Sequence, residues 1–145
     1  MEKVKRSTKE MKNELDQCDD IDAFLSNNAE HFLDMDVSQF LEQYLKLHRL
    51  EKSEVIRRSG LNQVYAYQIF SGTKHGNRDK LLCIAIAAGM SVEDVNRLLA
   101  AGDRASLYPR VVRDALIEFA LNHHYTVAQA DDLLYEHDCQ TLLSE

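Results

Sequence analysis

From Asp36 onward, apolar residues recur at intervals of three and four, the period of a helix that buries one face. Val37, Phe40, Leu41, Tyr44 and Leu45 form one such stripe, and Asp36 with Gln39 has the spacing of a capping box, so a helix is predicted over 37–48. Two short helices are predicted next, over 52–59 and 63–71, separated by Ser59-Gly60-Leu61-Asn62. Gly60 can adopt the left-handed conformation that ends a helix, and Asn62 is a good cap for the one that follows. Asn77 is placed to cap a helix through Ala88, stopped by Gly89, and Ser91 with Asp94 opens another that ends near Gly102. Pro109 suits the first turn of a helix through about His123, and Thr126 with Gln129 caps a last helix that turns Val127, Ala130, Leu133 and Leu134 inward. Ahead of Asp36, Met11, Leu15, Cys18, Ile21 and Leu25 keep helical spacing, with Phe32 and Leu33 expected to anchor the connection.

The pattern also repeats. Arg78–Asp103, RDKLLCIAIAAGMSVEDVNRLLAAGD, matches Arg113–Asp138, RDALIEFALNHHYTVAQADDLLYEHD, at an offset of 35. The Arg-Asp start, the Leu pairs, Ser91 with Thr126, and the final Asp coincide. Each copy reads as a helical hairpin, and two stacked hairpins bury faces that neither could bury alone.

Composition agrees with a helical reading, since one Pro and five Gly leave few breaks in 145 residues, a length that suits one compact core with an attached helical arm. No apolar run reaches the roughly 20 residues of a membrane span, and no secretion signal is legible at the start. Cys18, Cys83 and Cys139 are odd in number and far apart, which points to reduced, buried thiols and a cytoplasmic chain. The net charge of −7 argues against nucleic acid until its distribution is considered. Residues 1–45 carry 5 basic and 11 acidic side chains, residues 46–91 carry 8 and 3, and residues 92–145 carry 4 and 10. A basic middle between acidic ends gives one region a phosphate-attracting potential.

That basic middle holds Leu50–Gly72, LEKSEVIRRSGLNQVYAYQIFSG, which resembles the helix-turn-helix of the phage lambda repressor and Cro superfamily, the XRE family. The resemblance covers about 37–102. Lys52–Ser59 falls on the positioning helix, Gly60 on the turn glycine, Leu61 on the buried turn residue and Gln63–Ser71 on the recognition helix. Three departures stand out: Ile56 faces Ala66 where the family has a small residue facing a branched one, Glu51 replaces a Ser or Thr cap, and His75-Gly76-Asn77 replaces a Pro-containing loop. The resemblance implies an all-α, lambda-repressor-like five-helix DNA-binding domain over 36–104, an acidic helical arm over 1–35 and a helical hairpin over 105–145.

On a helical period, Ala66, Ile69 and Phe70 turn inward, and Gln63, Val64, Tyr67, Gln68 and Ser71 turn outward. Gln can bond adenine N6 and N7 together, and Val64 can meet a thymine methyl. Lys52, Lys74 and His75, with Arg57 and Arg58, are candidates for backbone contact, and the cap residue Asn62 belongs to the same DNA-binding set. Duplex DNA is the partner these residues imply; the resemblance further implies a homodimer, for which the apolar-striped acidic flanks are the candidate interface. Exposed Gln and Tyr equally describe solvated surface, and an adaptor or antitoxin-like protein that binds a partner through its acidic flanks is the alternative. For Arg78 an Arg-Asp pairing that fixes a helix start explains both repeat copies. His123, His124, His137 and Cys139 match no metal-ligand spacing, and no phosphate loop, nucleophile elbow or HExxH is present, so neither a cofactor nor an enzyme is expected.

Overall fold

The computed structural model describes residues 7–27 and 35–143, and every element among them is an α-helix: α1 Thr8–Gln17, α2 Ile21–Asn27, α3 Val37–His48, α4 Lys52–Ser59, α5 Gln63–Ser71, α6 Arg78–Ala88, α7 Val92–Ala101, α8 Val112–Asn122 and α9 Val127–Glu136. The expected all-α class is therefore observed. None of the described helices is long and apolar enough to cross a membrane. The chain divides into two compact units, Met1–Asp34 and Met35–Glu145.

In the first unit Ser7 caps α1 by accepting the Glu10 N–H. The expected stripe is only half realised there, because Leu15, Ile21 and Leu25 remain exposed and Phe24 is the buried side chain. Phe32 and Leu33 lie outside the described residues.

The second unit owes its helix starts to short polar side chains that reach three residues ahead, where a helix leaves N–H groups without intrahelical partners. Asp36 and Thr126 form complete capping boxes, and Asn62, Asn77 and Ser91 cap α5, α6 and α7. Glu51 caps α4 with no side-chain bond, as its residue type implies. Pro109 behaves otherwise than expected: it lies in the turn before α8, whose N-cap is Val111. The turn is held by the first turn of α8 itself, since Asp114 Oδ2 accepts the Tyr108 N–H at 3.0 Å.

A single core runs through this unit, from Leu41 and Phe70 to Leu98, Ile117 and Leu134. Within it α4 lies along α6, α5 along α3, and the two hairpins α6–α7 and α8–α9 meet with α6 against α9 and α7 against α8. The contact is reciprocal at the level of single atoms. The Arg78 guanidinium takes both Asp114 oxygens at 3.0 and 2.9 Å and the carbonyls of Ala105 and Ser106. Arg113, its equivalent 35 residues on, takes both Asp79 oxygens at 2.9 and 3.1 Å and the carbonyl of Gln140. The Arg-Asp pairs thus join helix starts, as expected, but crosswise between the copies and not within each. Asn96 Oδ1 accepts the Leu107 N–H, and Asp131 Oδ1 accepts the Leu142 N–H, so the repeat extends past its visible sequence end. Exchange of matching contacts in both directions is the signature of a self-complementary interface.

Candidate nucleic-acid interface

The pair α4–α5 is fixed by its turn. Ser59 is fully buried; its hydroxyl donates to the Ile56 carbonyl at 2.6 Å and accepts the Leu61 N–H at 3.2 Å. Gly60 follows at φ 75, a left-handed conformation that glycine adopts without steric cost. A Cβ there would also stand 2.9 Å from Leu143 Cδ1, so the C-terminal segment closes over the turn. Asn62 then opens α5 by accepting the Tyr65 N–H at 3.1 Å.

α5 is pinned at its far end from α3. Ser38 Oγ donates to the Phe70 carbonyl at 2.5 Å, and Gly72 ends the helix at φ 88. Ala66, Ile69 and Phe70 are buried, as their period requires. On the other face Gln63 and Ser71 are exposed, Val64 is 67% exposed and Tyr67 37%, while Gln68 is half-buried. A convex helix surface that offers amide, methyl and phenol groups therefore stands clear of the fold.

Not every predicted contact residue is equally free. The Ser71 hydroxyl donates to the Gln68 carbonyl at 3.1 Å and lies 3.0 Å from the Thr73 hydroxyl, so its one proton is committed to the helix end. Lys52 pairs with Glu42 of α3 and lies 5.8 Å over the Phe70 ring. Arg57 and Arg58 both pair with Glu54, whose carboxyl is held below the ordinary range chiefly by the hydrogen bond from Arg57. Lys74 and His75 are exposed beyond the end of α5, in a recess shared with Ser38, Gly72 and Arg104 and also with Asp36 and Asp103. Lys74 makes no ion pair among the described residues, which leaves it the least neutralised of the predicted cations.

Two features were missed by sequence reasoning. Ser53, which was not among the predicted residues, lines a recess with Leu61, Gln63, the predicted Arg57 and its partner Glu54, which puts a hydroxyl beside the first residue of α5. Lys80 lies 5.2 Å over the Tyr65 ring and so braces the back of α5. The first had a signal in the alternation of polar residues along α4; the second is a contact across 15 positions with no local trace. Arg78, clasped by Asp114 and two carbonyls, belongs to the hairpin interface and not to this surface.

Two of the histidines weighed for a metal are engaged elsewhere: the His123 ring lies tilted against Phe119 with ring centres 4.1 Å apart, and His137 Nδ1 lies 2.9 Å from the Leu133 carbonyl. The thiols differ from expectation in burial. Cys83 is fully enclosed and burial pushes its thiol up to about 12, whereas Cys18 and Cys139 are half-buried. No protein-family model matches the chain, and no significant similarity to a curated protein or a solved structure was found.

Proposed function

We propose that this protein binds duplex DNA sequence-specifically, with the exposed face of α5 in the major groove, and acts in transcriptional regulation as the resemblance of Leu50–Gly72 to repressor helix-turn-helices implies. The observation that carries the reading is the outward face of α5: Gln63, Val64 and Tyr67 project beside one another on a short helix that a cap, a glycine turn and two hydroxyl bonds, one buried and one part-buried, hold in place. A major groove admits one α-helix, and its base edges offer the acceptor and donor pairs that Gln matches and the methyl that Val matches.

Phosphate attraction in this reading is moderate, because Glu42 and Asp114 enter from outside the basic segment and neutralise Lys52 and Arg78. Ser53, Arg57, Asn62 and Lys74 are the side chains assigned to the backbone, at either end of α5. Ser71 and Thr73 finish the helix.

Titration of a labelled duplex at increasing salt tests the proposal. Each phosphate that the protein neutralises adds about −0.9 to the slope of log affinity against log salt, so the two cations assigned here, Arg57 and Lys74, predict a slope of about −2. Lys74→Glu is expected to weaken binding to every duplex alike. Binding absent at low salt, or indifferent to salt and to Lys74→Glu, would refute it and favour a protein partner.

A further inference from the structure

The second hairpin takes no part in the surface that α5 presents, yet the segment after it reaches the turn that leads into α5. Gly60 joins α4 to α5 at φ 75, and glycine is the residue whose own backbone restrains such a joint least. On one side the joint is held by the Ser59 hydroxyl, through the Ile56 carbonyl and the Leu61 N–H. On the side where any other residue would carry a Cβ, the space is taken by Leu143, whose Cδ1, Cδ2 and Cγ would lie 2.9, 3.5 and 3.8 Å from that atom. A side chain distant in sequence thus stands in for the one that Gly60 lacks.

Polar bonds place Leu143 there. Asp131 on α9 accepts the Leu142 N–H at 2.6 Å through Oδ1 and the Leu143 N–H at 3.2 Å through Oδ2. Arg113 Nε donates to the Gln140 carbonyl at 3.0 Å, while its other nitrogens hold Asp79 of α6, the helix along which α4 lies. The first copy of the repeat shows what is particular to the second. There Arg78 takes the Ala105 carbonyl, Asn96 takes the Leu107 N–H, and Leu107 is buried as Leu142 is. Asn96 has one acceptor oxygen, so the next N–H, that of Tyr108, goes to Asp114, and the Tyr108 side chain is 54% exposed. The Asp131 carboxylate has two oxygens, holds both N–H groups, and leaves a leucine lying on Gly60. We propose that Leu143 is a positioning residue for α5: anchored by Asp131 and Arg113, it fixes the joint at Gly60 and with it the angle at which Asn62 and Gln63 enter a major groove. The inference rests on the proposed reading of α5 and gives the second hairpin its part in that function, which is to brace the reading helix. A helix free to rock at its first turn would have to be ordered on binding, and the brace removes that cost.

Amide hydrogen exchange of the full chain reads the brace without DNA, and duplex binding reads its consequence. Leu143→Ala, at a position 42% exposed, is expected to speed exchange of the Leu61 and Tyr65 N–H groups about tenfold. It should weaken the enriched duplex about fivefold, part of what one Gln-to-adenine pair is worth. Affinity for unselected duplex and the salt slope should stay as in the wild type, because no cation is removed. Leu143→Met should restore both the exchange and the affinity, and Asp131→Asn, which keeps the single acceptor oxygen that Asn96 has, should loosen the turn as Leu143→Ala does. Ile117→Val, which trims the buried face of α8 where that helix packs on α7 and α9, lowers stability without loosening the turn. Turn amides that exchange alike in wild type and Leu143→Ala, an enriched duplex bound equally by both, or an Ile117→Val chain that loosens and weakens as much would each overturn the proposal. A wild type that binds no duplex would refute the reading of α5 and the binding half of the proposal with it, and the exchange rates would still decide whether Leu143 braces the turn.

Discussion

The clasp between the hairpins makes a quantitative prediction, because its two halves are alike in chemistry and unlike in burial. The Asp114 side chain is 8% exposed and Asp79 26%, and Asp114 alone also accepts a backbone N–H, that of Tyr108. Removing one member of a buried ion pair leaves the other charge uncompensated, at a cost of about 3–5 kcal/mol when burial is complete. Arg78 keeps some access to water, 24% of its side chain, and two carbonyls, so Asp114→Asn should cost about 2–4 kcal/mol. Asp79→Asn, at the better solvated half, should cost about 1–2 kcal/mol. The sign with pH follows from the same geometry. Burial pushes the Asp114 carboxyl up, but the bonds from Arg78 and the Tyr108 N–H outweigh it and hold the group below its ordinary value of 3.8. A carboxyl depressed in the folded state stabilises above that ordinary value and loses its contribution as pH falls through the lower, folded one. Urea unfolding between pH 7 and pH 3 measures both effects. Wild-type stability should hold to about pH 4.5 and then fall, and Asp114→Asn should flatten that fall. Equal costs for the two variants, or an acid profile unchanged by Asp114→Asn, would refute the reasoning.

Two further predictions concern the core and its thiols. Ile56 and Ala66 are both buried where α4 meets α5, so Ala66→Val should overpack and destabilise by about 1–3 kcal/mol, and adding Ile56→Ala should recover much of the loss; strict additivity in urea unfolding would show that they do not share space. Because burial pushes the Cys83 thiol up to about 12 and closes it off, a thiol reagent at pH 8 should modify Cys18 and Cys139 in the native protein and Cys83 only after unfolding; three thiols reacting at one rate would contradict this.

What could be read from the sequence was what acts over one helical turn. The caps of Asp36, Asn62, Asn77, Ser91 and Thr126 all bond to the residue three positions ahead, so a short string of residues encodes them and the starts of α3, α5, α6, α7 and α9 follow. Gly60 and the inward set Ala66, Ile69 and Phe70 were legible for the same reason. Pro109 misled because its suitability for a first turn is local, whereas the Asp114 carboxylate that fixes the preceding turn is itself oriented by Arg78, 36 positions away. The repeat showed an Arg-Asp pair at each helix start but not that the pairs are exchanged, since periodicity carries no information on which copy supplies the partner. Its place at a helix start makes Lys52 a strong phosphate ligand on sequence grounds. Glu42, on the preceding helix, removes that advantage, and only the packing of α3 beside α4 reveals it.

The central claim is that α5 reads bases, and selection from a random DNA pool, with wild type and Gln63→Ala in parallel, tests it most directly. Gln63 stands exposed in the first turn of α5, next to its cap, and a well-placed Gln-to-adenine pair is worth about 1–3 kcal/mol of discrimination. The account predicts that the wild type enriches a defined motif, and that Gln63→Ala loses the preference at one adenine position while its affinity for unselected duplex barely changes. An identical motif for both proteins, or no enrichment by the wild type, would contradict it.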